Sequence, residues 1–318
     1  MSGRRRTLPR VPVWLWRVLM SQLGPHERRR FNRRPIESVD YTYDIDYLGD
    51  GIPSHLLDVV APRSRGDGGL PVYVYFHGGG WTSGDKAALT KYCASQAEHG
   101  IVVVNVNYRP AGRFHMQHML RDGDAALGWV RDNVAAFGGD PGAIVLGGDS
   151  AGGQIAALLA AMTTRQELGA HYGIDPSCRR SDLRGLALHC SAVDFSVMFD
   201  PGFVMGMGFV RMLLPGRGKG LPLRGASRWL SPIEWLDERF VPVFVTTSER
   251  DFFYGANLNF IRSLRSHGVH VDVLIYDFGS KNTEHTWQQD ASYPESQEVY
   301  RRLRQFVRRV TGRSMAAG

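Results

Sequence analysis

One serine of this chain lies among small residues in a setting that suits a nucleophile. The hexapeptide Gly148-Asp149-Ser150-Ala151-Gly152-Gly153 follows an apolar, strand-like stretch and opens an alanine- and leucine-rich stretch of helical character. A sharp strand-to-helix turn of this kind tolerates only small neighbours, and it exposes the serine hydroxyl at the positive end of a helix. The string G-x-S-x-G alone is a weak signal, but this flanking context makes it specific. We therefore predict that Ser150 is a nucleophile and that Asp149 holds the turn through hydrogen bonds.

A second motif, His77-Gly78-Gly79-Gly80-Trp81, comes directly after the β-rich run PVYVYF. Consecutive glycines let backbone N–H groups approach an oxyanion, because no Cβ stands in the way. We predict an oxyanion hole formed by Gly78, Gly79 and Ala151, the residue after the nucleophile. The alternative, a phosphate-binding loop, needs the pattern G-x-x-x-x-G-K-[ST], which the sequence lacks. We expect His77 to fix the loop, whereas Trp81 either lines the substrate pocket or packs in the core.

The two motifs together resemble those of the hormone-sensitive-lipase-like esterases of the α/β-hydrolase fold. Tyr108-Arg109 and Phe137-Gly138-Gly139-Asp140-Pro141 lie between them, and the similarity covers residues 40–312, most specifically 75–155. The resemblance implies an α/β fold: a mainly parallel eight-stranded sheet flanked by helices, with a cap from the N-terminal segment and from an insert before the penultimate strand. It also implies a triad in the chain order Ser, Asp, His and no cofactor. One departure is Y-R-P-A-G at 108–112 in place of the family's Y-R-L-A-P-E, which loosens the subfamily assignment.

The resemblance places the acid of the triad after the insert and the base after the last strand. Asp251 follows the apolar run at 241–246 and fits the position of the acid, with Glu249 and Asp194 as alternatives. His285 lies in a polar loop between the last predicted strand and the final helix. A carboxylate in this arrangement orients the imidazole and stabilises its charged form. The implied triad is therefore Ser150, Asp251 and His285.

Short apolar runs alternate along the chain with segments of helical pattern, which predicts βαβ units and a mainly parallel sheet. We divide the chain into an N-terminal segment (1–40), a catalytic domain (41–193 and 240–312), a cap insertion (194–239) and a tail (313–318). The insertion is rich in Phe, Met, Gly and Pro, and a segment of this length without clear elements often carries function. We expect Met198, Phe199 and Phe203, with Trp81, to contact the substrate, although most apolar residues of the insertion should form its own small core.

The net charge of +7 is unevenly distributed along the 318 residues. Residues 1–35 contain ten arginines and one glutamate, and residues 301–318 contain six arginines and no acid, which leaves 36–300 with a net charge of −8. An acidic body argues against nucleic-acid binding, because such enzymes usually carry a basic stripe on the folded body. The sequence has no run of about 18 apolar residues that would predict a transmembrane helix. Its three cysteines, an odd and sparse set, argue for a reducing, cytoplasmic location.

The N-terminal segment has two interpretations. Its basic start and the apolar residues 11–20 are reminiscent of a signal peptide, but Arg17 interrupts the apolar run and no A-x-A site follows. The pattern favours an amphipathic helix bearing Trp14, Trp16 and Leu19. This helix either packs over the active site as a cap, which we prefer, or makes a weak peripheral contact with an anionic membrane surface.

These residues predict a cofactor-independent carboxylic-ester hydrolase that acts on a small-molecule ester through an acyl-enzyme. The same residues would serve an amidase, a formamidase or an acyltransferase, and the fold also hosts non-catalytic ligand-binding proteins. The filled triad positions argue against the non-catalytic class. No H-E-x-x-H motif or other metal-ligand spacing is present, so we expect no metal. The apolar insertion and the compact family type favour short- to medium-chain esters. The sequence leaves open the natural substrate, the preference for esters over amides, and the oligomeric state, for which a dimer is one possibility.

Overall fold

The computed structural model describes residues 10–64, 69–214 and 222–312. Its strands are β1 (Val39–Asp46), β2 (Leu56–Pro62), β3 (Leu70–Phe76), β4 (Val102–Val106), β5 (Gly139–Asp149), β6 (Leu183–His189), β7 (Val243–Ser248) and β8 (Val271–Tyr276). They form one sheet in the order β1-β2-β4-β3-β5-β6-β7-β8. β2 pairs antiparallel with β1 and β4, and the other neighbouring pairs are parallel. The predicted mainly parallel, eight-stranded sheet is confirmed.

Helices cover both faces of the sheet. They are α1 (Val13–Phe31), α2 (Thr90–Ala97), α3 (Met116–Asn133), α4 (Ser150–Met162), α5 (Gln166–Tyr172), α6 (Met207–Leu213), α7 (Leu223–Ala226), α8 (Tyr254–Ser266) and α9 (Pro294–Thr311). Side chains of α2 and α9 pack on one face of the sheet, and those of α3, α4 and α8 pack on the other. Because both faces are covered, every residue of β3 and β4 is buried, which accounts for their largely apolar sequences.

The amphipathic pattern of the final helix shows how sequence periodicity positions an element. In α9 the buried apolar residues recur at the spacing i, i+1, i+4, i+7, i+8, which gathers them on one side of a helix of 3.6 residues per turn. These residues are Val299, Tyr300, Leu303, Phe306 and Val307. Between β3 and β4, Lys86–Ala88 forms a 3-10 turn and α2 begins at Thr90.

The segment 194–239 enters the chain between β6 and β7, the penultimate strand, as expected. Its described residues form α6, α7 and short 3-10 turns, and they contact α4 and α8. Its residues Phe195, Met198 and Phe209 are fully buried in the main core. The large apolar residues of this segment therefore extend the core on the α4 side. The division of the chain into a catalytic domain and a cap stays a prediction.

The predicted N-terminal helix is present as α1, but its predicted face is wrong. Trp16 packs edge-to-face against Phe209, whereas Trp14 and Leu19 are 66% and 44% exposed. The reason is geometric: residues two apart on an α-helix differ by about 200° in direction, so Trp14 and Trp16 cannot share a side. None of the residues of α1 is buried. In the described part of the chain, no helix has the length and apolarity needed to cross a membrane.

Candidate active site

Ser150 lies at the turn between β5 and α4, in a backbone conformation that few residues adopt. Its φ angle is +50°, in the left-handed region that costs a non-glycine residue ~1–2 kcal/mol. The turn is possible because its neighbours are glycines: a Cβ on Gly152 would overlap the carbonyl oxygen of Phe76, and one on Gly148 would overlap the backbone of Gly152. The sequence-based interpretation of a tight strand-to-helix turn thus has a direct steric cause.

A continuous chain of hydrogen bonds joins the three residues of the predicted triad. The Nε2 atom of His285 lies 2.9 Å from the Ser150 Oγ, and its Nδ1 atom lies 2.7 Å from the Asp251 Oδ1. Asp251 is buried, and its carboxylate has two further donors. The backbone N–H of Phe253 donates to Oδ1 and the Thr247 hydroxyl donates to Oδ2, each at 3.0 Å. These donors fix the orientation of the carboxylate that in turn orients the imidazole.

The two alternative acids are occupied elsewhere. The Glu249 carboxylate accepts the backbone N–H of Phe278 at 2.8 Å, on the exposed side of its turn. Asp194 caps a 3-10 turn through Ser196 and accepts the side-chain amide of Asn259 at 2.6 Å. Neither contact involves His285, so the geometry favours Asp251 among the three acids.

Asp149 ties the glycine-rich loop to the nucleophile turn, as predicted. Its Oδ1 accepts the Tyr75 hydroxyl at 2.6 Å and the backbone N–H of Gly78 at 3.1 Å, and its Oδ2 accepts the Gln289 side-chain amide at 2.8 Å. Burial raises the pKa of the Asp149 carboxyl, and the hydrogen bond from Tyr75 counteracts this rise. Three donors around one buried carboxyl group explain how it is tolerated in the core. Sequence reasoning missed Tyr75 and Gln289, because neither lies in a motif.

The bond to Asp149 corrects the predicted oxyanion hole. The N–H of Gly78 is already donated to Asp149, so Gly78 is not a free donor and its assignment is wrong. The next two glycines, Gly79 and Gly80, have φ angles of +127° and +60°, conformations that favour glycine. In the described part of the chain, no hydrogen bond occupies their amides or that of Ala151. These three N–H groups are the ones left for an oxyanion.

His77 fixes the loop in the way expected from its place in the motif. Its Nδ1 donates to the carbonyl oxygen of Gly78 at 2.7 Å, and its ring stacks on Tyr108 with centroids 4.5 Å apart. The Tyr108 hydroxyl donates to the carbonyl oxygen of His77 at 2.7 Å. Burial lowers the pKa of His77, which favours the neutral ring in this scaffold position.

A cleft of about 1530 Å³ reaches Ser150 and His285. The glycine-rich loop and α1 both line it. The lining side chains from α1 include Trp16, Met20, Glu27, Arg28 and Arg29, and other parts of the lining are polar, with Asp44, Asp58 and Lys86. Burial raises the pKa of the Glu27 carboxyl. The cleft is therefore more polar than the apolar insertion suggested.

None of the four predicted substrate-binding residues lines this cleft. Trp81 is fully buried; its indole N–H donates to Gln154, and its ring packs against Phe195 and Phe209. Met198 is also fully buried. Phe199 lies under the Arg224 guanidinium. Phe203 packs against Phe252 and Phe253, and both of these rings contact the ring of His285. Trp81 and Met198 are therefore wrong as lining residues of this cleft, because both side chains are buried in the core, whereas the roles of Phe199 and Phe203 stay predictions.

A single cluster of side chains within the described ranges has the donor atoms for a metal: Cys190, Asp251 and His285, with ligand atoms within 4.8 Å of one another. Two of its members already share the hydrogen bond of the triad. The third is a buried thiol, and burial raises its pKa well above the usual range, which disfavours the thiolate that a metal requires. The arrangement suits the triad better than a metal site.

Comparisons with known proteins identify the fold family. The model of a family described as alpha/beta hydrolase fold matches residues 73–289. Carboxylesterase NlhH of Mycobacterium tuberculosis is 45% identical over 96 residues, which are 29% of this chain and 29% of that protein. Esterase LipQ of the same organism is 28% identical over 248 residues, 72% of this chain and 51% of that protein. The chain thus spans about half or less of the length of these curated relatives.

Solved structures show the same fold over nearly the whole chain. Esterase B from Lactobacillus rhamnosis superposes with a TM-score of 0.82 at 21% identity and covers 93% of this chain and 94% of that chain. An esterase from Pyrobaculum calidifontis gives a TM-score of 0.72 at 23% identity, with 95% of both chains covered. At these identities the likeness concerns the fold alone.

Proposed function

Because this chain belongs to the alpha/beta-hydrolase fold family, whose hormone-sensitive-lipase-like esterases it resembles, we propose that it hydrolyses carboxylic esters through Ser150, His285 and Asp251. The observation that carries this proposal is the unbroken chain of hydrogen bonds from the Ser150 hydroxyl through the imidazole to the buried carboxylate. A serine hydroxyl is a weak nucleophile by itself, and an adjacent oriented base activates it. The names of two relatives, a carboxylesterase and an esterase, point to the same chemistry.

In the first half of the reaction the Ser150 Oγ attacks the ester carbonyl while His285 Nε2 takes its proton. The negative charge that develops on the carbonyl oxygen is stabilised by the N–H groups of Gly79, Gly80 and Ala151. Asp251 stabilises the imidazolium through its bond to Nδ1. Collapse of the tetrahedral intermediate breaks the bond to the alkoxy oxygen, which leaves as the alcohol with the proton from His285, and an acyl-enzyme remains on Ser150.

In the second half a water molecule replaces the alcohol. His285 takes a proton from the water as the water oxygen attacks the acyl carbonyl, and the same three N–H groups hold the second oxyanion. The intermediate then collapses, and Ser150 recovers its proton from His285 as the carboxylic acid leaves. All the groups required for both halves belong to this chain.

We further propose that the acyl chain is short to medium in length. The cleft is lined by the carboxylates of Glu27 and Asp44 together with apolar side chains, and a long alkyl chain would cover these charged groups without giving them hydrogen-bond partners. Esterase B, which shares the fold, has been solved with a tributyrin phosphonate bearing C4 chains. This supports starting the search for substrates at that length.

The test uses Ser150→Ala with Ser266→Ala as a control, since Ser266 is an exposed serine at the end of α8. A fluorophosphonate probe should label the wild-type protein and the control but not Ser150→Ala. Hydrolysis of p-nitrophenyl butyrate should fall at least ~10³-fold in Ser150→Ala, because the covalent route is lost. Full labelling of that variant would contradict the assignment of the nucleophile. A p-nitrophenyl series from C2 to C12 with its maximum at C12 would contradict the proposed chain length.

A further inference from the structure

The outer surface of α1 presents a run of large apolar side chains. Trp14 is 66% exposed, Val18 52%, and Leu19 and Leu23 44% each; we call these four residues the outer face. At about 100° per residue these four side chains spread over about half of the helix circumference, and the centre of that exposed half lies about 150° from Met20, which lines the cleft. Single exposed apolar residues are ordinary on proteins, but several on one surface helix mark an interaction site.

The charges of α1 indicate the kind of partner. Arg17, Arg28 and Arg29 are exposed, and the last two also border the cleft, as does Glu27, the only acidic residue of the helix. Residues 1–35 carry a net charge of +9, while residues 36–300 carry −8. An anionic surface therefore attracts this end of the chain and repels the body, which would orient the protein with α1 toward that surface.

The helix is fixed with the outer face toward solvent. Its start is held by the N–H of Val11, which donates to the carbonyl oxygen of Val204 at 2.8 Å. Its end is held by the ion pair of Arg30 with Asp290 at 2.8 Å and by the bond from Asn32 to the carbonyl of Ala87 at 2.7 Å. Because both ends are anchored to the body, the outer face needs no rearrangement to make contact.

We propose that the outer face of α1 binds peripherally to an anionic lipid bilayer, which places the cleft beneath the helix at the bilayer surface. Tryptophan and leucine enter the region between headgroups and acyl chains, and arginines pair with anionic headgroups, each contributing to the affinity. A second copy of the chain is a poorer partner, since a symmetric contact through α1 brings two segments of +9 together. The binding surface does not depend on the proposed ester hydrolysis.

The first experiment measures cosedimentation with vesicles of phosphatidylcholine and phosphatidylglycerol (3:1) in 0.1 M NaCl. The wild-type protein should bind, and at least ~10-fold more weakly to phosphatidylcholine alone, because several arginines lose their partners. A variant with Trp14→Ser, Val18→Ser, Leu19→Ser and Leu23→Ser should bind at least ~10²-fold more weakly. Phe278→Ser is the matched control, because Phe278 is 63% exposed outside α1, and its binding should equal that of the wild type.

Three outcomes would overturn the proposal: no wild-type binding to the anionic vesicles, undiminished binding of the fourfold variant, or a wild-type dimer in sedimentation equilibrium that the fourfold variant dissociates without any vesicle binding. Circular dichroism establishes that the fourfold variant is folded, and its exposed positions should leave the melting temperature within ~3 °C of the wild type.

A second experiment avoids removing the outer face. All three natural cysteines are buried, so an NBD maleimide reports specifically on an introduced thiol. Leu19→Cys labelled in this way should brighten and shift to shorter emission wavelength on addition of the anionic vesicles, because the fluorophore enters an apolar environment. Phe278→Cys should not change. Equal responses at both positions, or none at position 19, would contradict insertion of the outer face.

Discussion

The carboxylate of Asp251 has two roles: it orients the imidazole of His285, and it stabilises the positive charge that the ring acquires. Replacing Asp251 by asparagine separates these two roles. Oδ1 accepts both His285 Nδ1–H and the backbone N–H of Phe253, whereas Oδ2 faces the Thr247 hydroxyl. A backbone N–H can only donate, so the carbonyl oxygen of the new amide must take the place of Oδ1. The hydroxyl of Thr247 can rotate and accept from the amide NH₂. We therefore expect Asp251→Asn to keep the imidazole in its productive tautomer and to lose only the negative charge.

The size of the effect follows from Coulomb's law. A carboxylate and an imidazolium with charge centres about 4 Å apart interact by about 4 kcal/mol at an effective dielectric constant of about 20. This interaction exists in the transition state and not with the neutral imidazole, so kcat/KM should fall by about 10³-fold. A variant that also inverted the tautomer would lose about 10⁴-fold or more, the result known for a serine protease whose carboxylate was replaced in this way.

The assay is hydrolysis of p-nitrophenyl butyrate, supported by ¹⁵N NMR of the His285 ring, which reports the nitrogen that carries the proton. Glu249→Gln is the control. Its carboxylate contacts only the exposed turn at Phe278 among the described residues, and we expect less than about a twofold change. A proton on Nε2 in Asp251→Asn would refute the argument about Phe253 and Thr247. A greater loss in Glu249→Gln than in Asp251→Asn would refute the assignment of the acid.

Three further predictions concern the loop, the helix above it and the core. Gly80→Ala should lower kcat at least ~10²-fold, because the new Cβ would overlap the Trp16 indole and the residue has a φ of +60°. The control is Gly255→Ala, where a Cβ meets nothing within 4 Å; this variant should retain full activity in the same assay. Trp16→Ala should lower kcat/KM by roughly tenfold by loosening the cleft wall, while Trp14→Ala should not, since only Trp16 lines the cleft. Burial lowers the pKa of His189 from 6.5 to about 3. Below pH 6.5 the unfolded chain therefore binds a proton at this residue that the native state does not bind. As the pH falls from 7 to 5, this difference should lower the free energy of unfolding by about 2 kcal/mol. Urea unfolding at both pH values should show that His189→Gln lessens this pH dependence; an unchanged pH dependence would contradict it.

The residues that perform the proposed chemistry could be selected from the sequence because their signals are local. A strand followed at once by G-D-S-A-G-G and then by a helix fixes where Ser150 lies, since only small residues fit the turn. In a mainly parallel sheet the ends of successive strands meet at one edge, so acids and histidines that follow strands become candidates for the same site. Asp251 and Glu249 lie two positions apart on one turn, so the strand pattern alone does not distinguish them. The resemblance to known esterases favours Asp251.

The donors of the oxyanion hole and the lining of the cleft depend on contacts between segments that are distant in sequence. The motif H-G-G-G predicts that backbone N–H groups face an oxyanion, but which ones do so depends on Asp149, 71 residues after Gly78, which takes the N–H of that glycine. Both the insertion and the N-terminal helix are apolar enough to cover the cleft, and composition does not distinguish them. The packing of the two segments distinguishes them: Met198 is buried in the core, in a turn that contacts α8, while Trp16 reaches the glycine-rich loop. Hydrophobicity determines that these side chains leave water, and only the tertiary structure determines which surface they meet.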